Sequence, residues 1–193
     1  SNVPTALTCY RTTARHEWVD YNGHMNDAAF AAVFSEATDA LLEWLGLGPT
    51  SRAQYGYTVF TLETHIRYLS QAYEAQPLAV EVRLVDHDAK RLHVLMTLRE
   101  ATEGTALATG EIMLMGIDTA TERPAPFPDA VAEWVDELCR MHGYDEWPAD
   151  AGRAIGIGLE LGGSREEWIG MDLDFTGKTV SGALADSTTA GSA

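Results

Sequence analysis

One long helix, apolar on almost every side, constrains this chain more than any other feature. From Ala28 to Leu45 nearly every residue is Ala, Val, Phe, Leu or Trp, while Glu36, Asp39 and Glu43 fall at helical spacing on one narrow stripe. A helix of that kind needs cover around most of its circumference, so the pattern predicts a buried helix and not one lying on a surface. Its length comes to about 27 Å. Asn26 or Asp27 can cap its start, and Gly46 with Gly48 can end it.

The cover must come from the strands around it. Residues 8–18 alternate loosely and read as a first strand, broken by the Asn22-Gly23 turn. After a loop at 48–53, the segment Tyr57 to Leu69 is rich in β-branched and aromatic residues. Leu78, Val80, Val82 and Leu84 alternate with Ala79, Glu81 and Arg83, and the polar turn at 87–90 follows. Leu92, Val94, Met96 and Leu98 alternate in the same way, and Leu107 to Ile117 returns as another long strand. Period-two signals joined by hairpin turns predict four strands meandering antiparallel. Residues 128–142 form a short amphipathic helix with Val131, Trp134, Val135 and Leu138 on one side.

An antiparallel sheet with one apolar face must bury that face, and the only long apolar helix is the one at 28–45. The economical arrangement is an α+β hot-dog fold: a sheet wrapped around one long central helix, with a short C-terminal helix added. Residues 1–142 make this domain, and residues 143–193 an extension rich in Gly, Asp, Ser and Thr, expected to be disordered or loosely packed from Gly177 onward. No internal repeat indicates a second copy of the fold.

Charge and composition narrow the function classes. The net charge of −16 argues against nucleic acid, whose phosphates require clustered Lys and Arg. No uninterrupted apolar stretch is long enough for a membrane span, and no basic-then-apolar start marks a secretory signal, so a cytoplasmic location is expected. Cys9 and Cys139 lie far apart and read as free thiols. His16, His87, His93 and His142 lack metal-ligand spacing, and no metal or other cofactor is expected. Glycine patterns for phosphate or dinucleotide binding are also missing.

Chemistry concentrates just ahead of the helix. Asp20, Asn22 and His24 stand two residues apart in the tight turn Asp20-Tyr21-Asn22-Gly23-His24-Met25-Asn26. Hydrolysis of an activated acyl group needs a polarised carbonyl and either a deprotonated water or a carboxylate nucleophile. Backbone N–H groups from Gly23 to Asn26 and the dipole of the helix are expected to favour developing negative charge. Asp20 suits a general base or a nucleophile. Asn22 can position water or the carbonyl oxygen, and His24 can share the base role or orient Asp20. Gly23 allows positive φ and close approach to a ligand. The plain alternative is that Asp20 and Asn22 are ordinary turn and cap residues.

The segment from Val19 to Asn26 resembles the opening motif of 4-hydroxybenzoyl-CoA thioesterase-like hot-dog proteins, in which an Asp precedes the central helix at the place of Asp20. The Asp-x-Asn-x-His-x-Asn spacing is also similar to that of plant acyl-ACP thioesterases, and this resemblance implies catalytic roles for Asp20, Asn22 and His24, with Glu63 as a further carboxylate. A closer resemblance spans roughly residues 10–140. Residues 18–25, 60–65 and 88–93 look like those of betainyl-CoA thioesterases of carnitine degradation, which in some bacteria are fused to carnitine dehydrogenase.

That resemblance implies hydrolysis of a small acyl-CoA, betainyl-CoA first, with coenzyme A arriving as part of the substrate and a functional link to carnitine dehydrogenase. Trimethylammonium groups bind to aromatic faces, which draws attention to Trp18, Tyr21, Tyr57, Phe60 and Tyr68. Gly23, Met25, Asn26 and His65 complete the expected substrate contacts, and Lys90 and Arg91 are candidates for the CoA phosphates. Rival readings are a thioesterase for another acyl-CoA or acyl-ACP, a hot-dog hydratase, and an acyl-CoA-binding regulatory module without turnover. In the hydratase signature the His lies one residue further from the Asp than here. A lone hot-dog protomer leaves a sheet edge unpaired, so a homodimer or homotetramer is expected.

Overall fold

The computed structural model describes residues 6–142 and 147–157. Contacts divide the chain into one unit, Ser1–Ala151, and a second, Gly152–Ala193, of which only residues 152–157 are described, without helix or strand. The expected disorder from Gly177 falls outside the described residues.

The first unit is an antiparallel sheet curled around one helix. In chain order come β1 (Leu7–Thr13), a 3-10 turn (His16–Trp18), α1 (Asp27–Trp44), α2 (Pro49–Tyr55), β2 (Tyr57–Tyr68), β3 (Pro77–His87), β4 (Arg91–Glu100), β5 (Ala106–Asp118), the two-residue β6 (Arg123–Pro124) and α3 (Asp129–His142). The strand order is β1-β3-β4-β5-β2, with β6 on β5. The hot-dog architecture read from the sequence is the one observed.

Neighbour relations differ from a simple meander. β3, β4 and β5 pair in succession, but β2 pairs with β5 at the sheet edge and not with β3. Residues 69–76 therefore carry the chain back past β5 and β4, about 14 Å at normal strand spacing. Alternation identifies faces, not neighbours, which is why the sequence could not show this crossing.

The alternating residues do what their period requires. Leu78, Val80 and Val82 of β3, Leu92, Val94, Met96 and Leu98 of β4, and Ile112 and Leu114 of β5 are all buried in one core. Against them α1 buries Phe30, Val33, Phe34, Ala37 and Leu41. Full burial of side chains of this size contributes roughly 1.5–3 kcal/mol each. Two glycines make room: a Cβ on Gly110 would meet the Phe34 ring at 3.0 Å, and one on Gly116 would coincide with the Tyr57 hydroxyl. That hydroxyl donates to Ala125 O at 2.8 Å.

Four local expectations are corrected. The exposed stripe of α1 is wider than expected, because Ala28, Ala31 and Ser35 join Asp39 and Glu43 in it while Glu36 is half-buried; alanine reads as apolar yet loses little when left in water. The first strand stops at Thr13, five residues short of the expected end. Beyond it Arg15 pairs with Glu36 of α1 at 3.1 Å and stacks over Trp18 at 4.3 Å, drawing the chain off the sheet toward the helix. The expected loop at 48–53 is largely the short helix α2, begun by Pro49 in its first turn and ended by Gly56 at φ 59. Trp134, placed on the buried side of α3, is 47% exposed and packs edge-on against Trp44 with ring centroids 5.2 Å apart.

Beyond α3, Trp147 donates its indole N–H to Ala151 O at 2.9 Å and sets its ring against His93. Asp150 pairs with Arg67 at 3.0 Å. His93 in turn meets Glu111 at 2.6 Å, each about one-sixth exposed. These contacts lie on the sheet face turned away from α1 and belong to the first unit, which runs to Ala151 and so passes the boundary expected at residue 142.

α3 closes the core with Val131, Val135, Leu138 and His142. His142 is 1% exposed, and its Nδ1 accepts from the N–H of Leu84 at 2.9 Å. An accepting Nδ1 places the ring proton of the neutral imidazole on Nε2, which has no partner among the described residues. Burial, and then Arg83, hold the imidazole below its usual value of 6.5. The folded state thus binds fewer protons than the unfolded chain, so this contribution to stability is complete above about pH 6.5 and is lost as pH falls through the folded value. Denaturant unfolding is expected to show stability falling below pH 6.5, with a shallower fall in His142→Gln; equal slopes in the two proteins would refute the assignment.

Candidate active site

The turn ahead of α1 is held by its own backbone. Asp20 Oδ1 accepts from the N–H of Asn22 at 2.8 Å and of His24 at 3.2 Å, while the N–H of Gly23 donates to Asp20 O at 2.9 Å. Gly23 takes φ 77, which the tight reversal requires and an L side chain resists. Met25 N–H donates to Ala72 O at 2.7 Å, and the His24 ring stands edge-on to Tyr73, centroids 4.9 Å apart. The turn therefore rests on the loop between β2 and β3.

Asn26 joins the turn to the helix. Its Oδ1 accepts from Ala29 N–H at 2.9 Å as the N-cap of α1, and its Nδ2 donates to Trp18 O at 3.0 Å. Its own N–H donates to the same Trp18 carbonyl at 2.9 Å. One side chain thus ties the 3-10 turn to the first turn of α1. The cap falls to Asn26 of the two candidates; Asp27 begins the helix instead.

The backbone N–H groups expected to face a ligand are spent. From Asn22 to Asn26 every one donates inside the turn or to Trp18 and Ala72. The physical reason is the tightness of the turn, whose donors find nearer acceptors than any substrate. What remains directed outward is side-chain chemistry: Asn22 and the carboxylate of Asp20 are exposed, and His24 is half-buried.

A cavity of about 310 Å³ opens beside the turn at the head of α1. Met25, Asp27, Phe30, Tyr68, Leu69, Ser70 and Gln71 line it. Phe30 and Tyr68 meet at 83° with centroids 5.2 Å apart, and Tyr68 donates its hydroxyl to Asp27 O at 3.2 Å. Burial, and then the Asp27 carboxylate, raise the Tyr68 phenol above its ordinary value. Asp27 and Phe30 were read only as cap and core. Their i,i+3 spacing on one helix face, directly after the turn, was the signal that could have found them.

The other expected site residues are dispersed. Trp18 is buried under Arg15, and Tyr57 is buried at the far end of β2, against Phe127. Tyr21 is 96% exposed, and Phe60 is exposed on β2. Glu63 pairs with Met113 and His65 with Glu111, which sets both on the face of the sheet turned away from α1. In the hairpin between β3 and β4, Arg91 is committed to Asp88, with Nε donating at 2.6 Å. The N–H of Lys90 and then the Arg91 guanidinium hold the Asp88 carboxyl down to about 2. Among the described residues no group of His, Cys, Asp and Glu is assembled to hold a metal ion, and no helix is long and apolar enough to cross a membrane.

A family profile described as the thioesterase-like superfamily matches residues 14–135, which take in the turn, α1 and every strand of the sheet except β1. The chain belongs to the thioesterase-like superfamily. As a member it is a thioester hydrolase, and its curated relatives agree. The betainyl-CoA thioesterase of Pseudomonas aeruginosa is 41% identical over 151 residues, 78% of this chain and 95% of that protein. An L-carnitine dehydrogenase/betainyl-CoA thioesterase of Agrobacterium fabrum is 41% identical over 121 residues, which cover 63% of this chain but only 25% of the larger protein. Among solved structures, a hypothetical protein of Staphylococcus aureus in complex with CoA has a TM-score of 0.73 at 32% identity, covering 81% of this chain and 99% of that one. A 1,4-dihydroxy-2-naphthoyl-CoA thioesterase of Synechocystis shares the fold at 18% identity, TM-score 0.60, over 67% of this chain and 95% of that one.

Within this thioesterase-like chain, Asn26 is the residue on which the geometry of the turn depends. Asn26→Ala removes both side-chain bonds, the cap to Ala29 and the tie to Trp18, and is expected to cost about 1–2 kcal/mol in denaturant unfolding. Thioester hydrolysis should fall as well, at temperatures where the variant remains folded. A variant as stable as the parent would show that the cap carries no weight.

Proposed function

We propose that this enzyme hydrolyses betainyl-CoA to betaine and CoA, with Asp20 as the catalytic carboxylate. The observation that carries the reading is 41% identity to a betainyl-CoA thioesterase along nearly its whole length. Support for coenzyme A as the carrier comes from the related Staphylococcus aureus structure, which holds CoA. Fusion of similar domains to L-carnitine dehydrogenase in other bacteria supports a functional link to carnitine degradation.

Asp20 acts as general base. The N–H groups of Asn22 and His24 fix one of its oxygens, which orients the carboxylate before substrate arrives. A water giving its proton to Asp20 adds to the thioester carbonyl carbon; the C–S bond then breaks, and CoA leaves as the thiol with that proton. Since the backbone donors of the turn are occupied, the amide of Asn22 and the imidazole of His24 polarise the carbonyl. Glu63 and His65, on the outer face, reach a substrate only at a neighbouring protomer.

β2 supports that neighbour. It is the edge of the sheet, and Phe60 and Leu62 stand exposed along it. An unpaired edge with exposed apolar residues fits a second copy of this chain. Light scattering should give twice the mass of the chain; a fully active monomer would contradict the assembly.

Thiol release from betainyl-, butyryl-, 4-hydroxybenzoyl- and long-chain acyl-CoA tests the activity. Betainyl-CoA should be the preferred substrate, and Asp20→Asn should lose about a hundredfold or more in kcat. An unchanged rate in Asp20→Asn would end the catalytic role of that residue, and preference for a neutral acyl chain would end the betainyl assignment.

A further inference from the structure

A quaternary ammonium group has no N–H, so no acceptor can select it by hydrogen bonding. It is recognised instead by π faces and by fixed negative charge. The cavity at the head of α1 offers both. Phe30 and Tyr68 both line it and stand at 83°; Tyr68, 53% exposed, supplies the accessible aromatic surface, and Phe30, 4% exposed, backs it. Met25 adds a polarisable thioether. Among the lining residues Asp27 is the single charged side chain, and it is negative.

Three further features favour a cation here. The positive end of α1 would oppose one, but Asp27 sits in its first turn with Oδ1 accepting from Ala28 N–H at 2.9 Å, which places a full negative charge against a partial positive one. The Tyr68 hydroxyl donates to the backbone carbonyl of Asp27 at 3.2 Å, which tethers the ring to the first turn of α1. Volume fits as well: 310 Å³ lies at the lower end of small-molecule sites, which run about 300–1,000 Å³.

We infer that the corner formed by Phe30, Tyr68 and Asp27 binds the trimethylammonium end of the acyl group and is what selects a cationic acyl-CoA over a neutral one. This rests on the betainyl reading and adds to it the residues that make the choice. Of the aromatics first considered, Tyr68 alone lines the corner; Phe30 and Asp27 come from the helix. Asp27 is a specificity residue, and Asp20 keeps the chemistry.

The test compares betainyl-CoA with tert-butylacetyl-CoA, its neutral isostere, in which carbon replaces the ammonium nitrogen. Both are assayed by thiol release with the parent enzyme, Asp27→Asn and Tyr68→Leu. Binding of tetramethylammonium is followed in parallel by ligand-detected NMR. The parent should favour betainyl-CoA, and each variant should lose about tenfold of that preference, mostly through KM, together with tetramethylammonium binding. Because the preference is a ratio within one protein, partial loss of folded enzyme cancels. A parent that favours betainyl-CoA with variants that keep the preference would overturn the corner and leave the betainyl reading standing. A parent that favours the neutral isostere but binds tetramethylammonium through Asp27 would sink the betainyl reading while supporting the corner as a cation site. Tetramethylammonium binding that is absent, or unchanged in both variants, would overturn the corner outright.

Discussion

The packing of α1 into the hollow of the sheet is the constraint from which the rest follows. One tight contact is where Phe34 lies over Gly110, whose missing Cβ leaves room for the ring. A side chain on that glycine would push the Phe34 ring, and α1 with it, away from β5. The turn at 20–26, the cavity beside it and the docking of the turn on Ala72 all take their positions from a helix that cannot slide. Interiors packed this tightly shift little, so a site built at the end of such an element inherits its rigidity.

The turn itself reflects a trade. Holding Asp20 in one orientation uses backbone donors that an oxyanion would otherwise have enlisted. The carboxylate gains definition, and what the turn still directs outward is side-chain chemistry. The same economy appears at Asn26, which stabilises the helix and braces the turn with one amide. Small residues with several hydrogen-bonding atoms are what such a compact segment needs, which is why Asp and Asn recur in it.

Faces of the sheet were readable from sequence because Leu78, Val80, Val82 and Leu84, and Leu92, Val94, Met96 and Leu98, keep a period of two and are all buried, although Ala79 and Leu95 between them are buried as well. Which strand lies beside β2 was not readable, since pairing depends on where residues 69–76 travel and not on the strand's own composition. The same limit hid the cavity. Phe30 belongs to the core stripe by every local criterion, and only the approach of Tyr68, 38 residues away by chain, gives it a second neighbour of functional interest. Asp20, Asn22 and His24 were legible because they stand together in one turn; Glu63 and His65 take their face from the pairing of β2 with β5, which no local pattern discloses.

That pairing contains one irregularity. Between Thr61 and Glu63 the register of β2 against β5 shifts, leaving Leu62 unmatched. An extra residue in a strand exchanges odd and even positions from there on. Thr64, Ile66 and Tyr68 consequently sit opposite Ile112, Gly110 and Ala108 on the helix side, while Glu63, His65 and Arg67 go to the other. The aromatic wall of the cavity is therefore a matter of parity set six residues upstream, at a position that touches no part of it. Loss or gain of one residue between Leu62 and Tyr68 would therefore turn that ring to the opposite face of the sheet without altering any residue that lines the cavity.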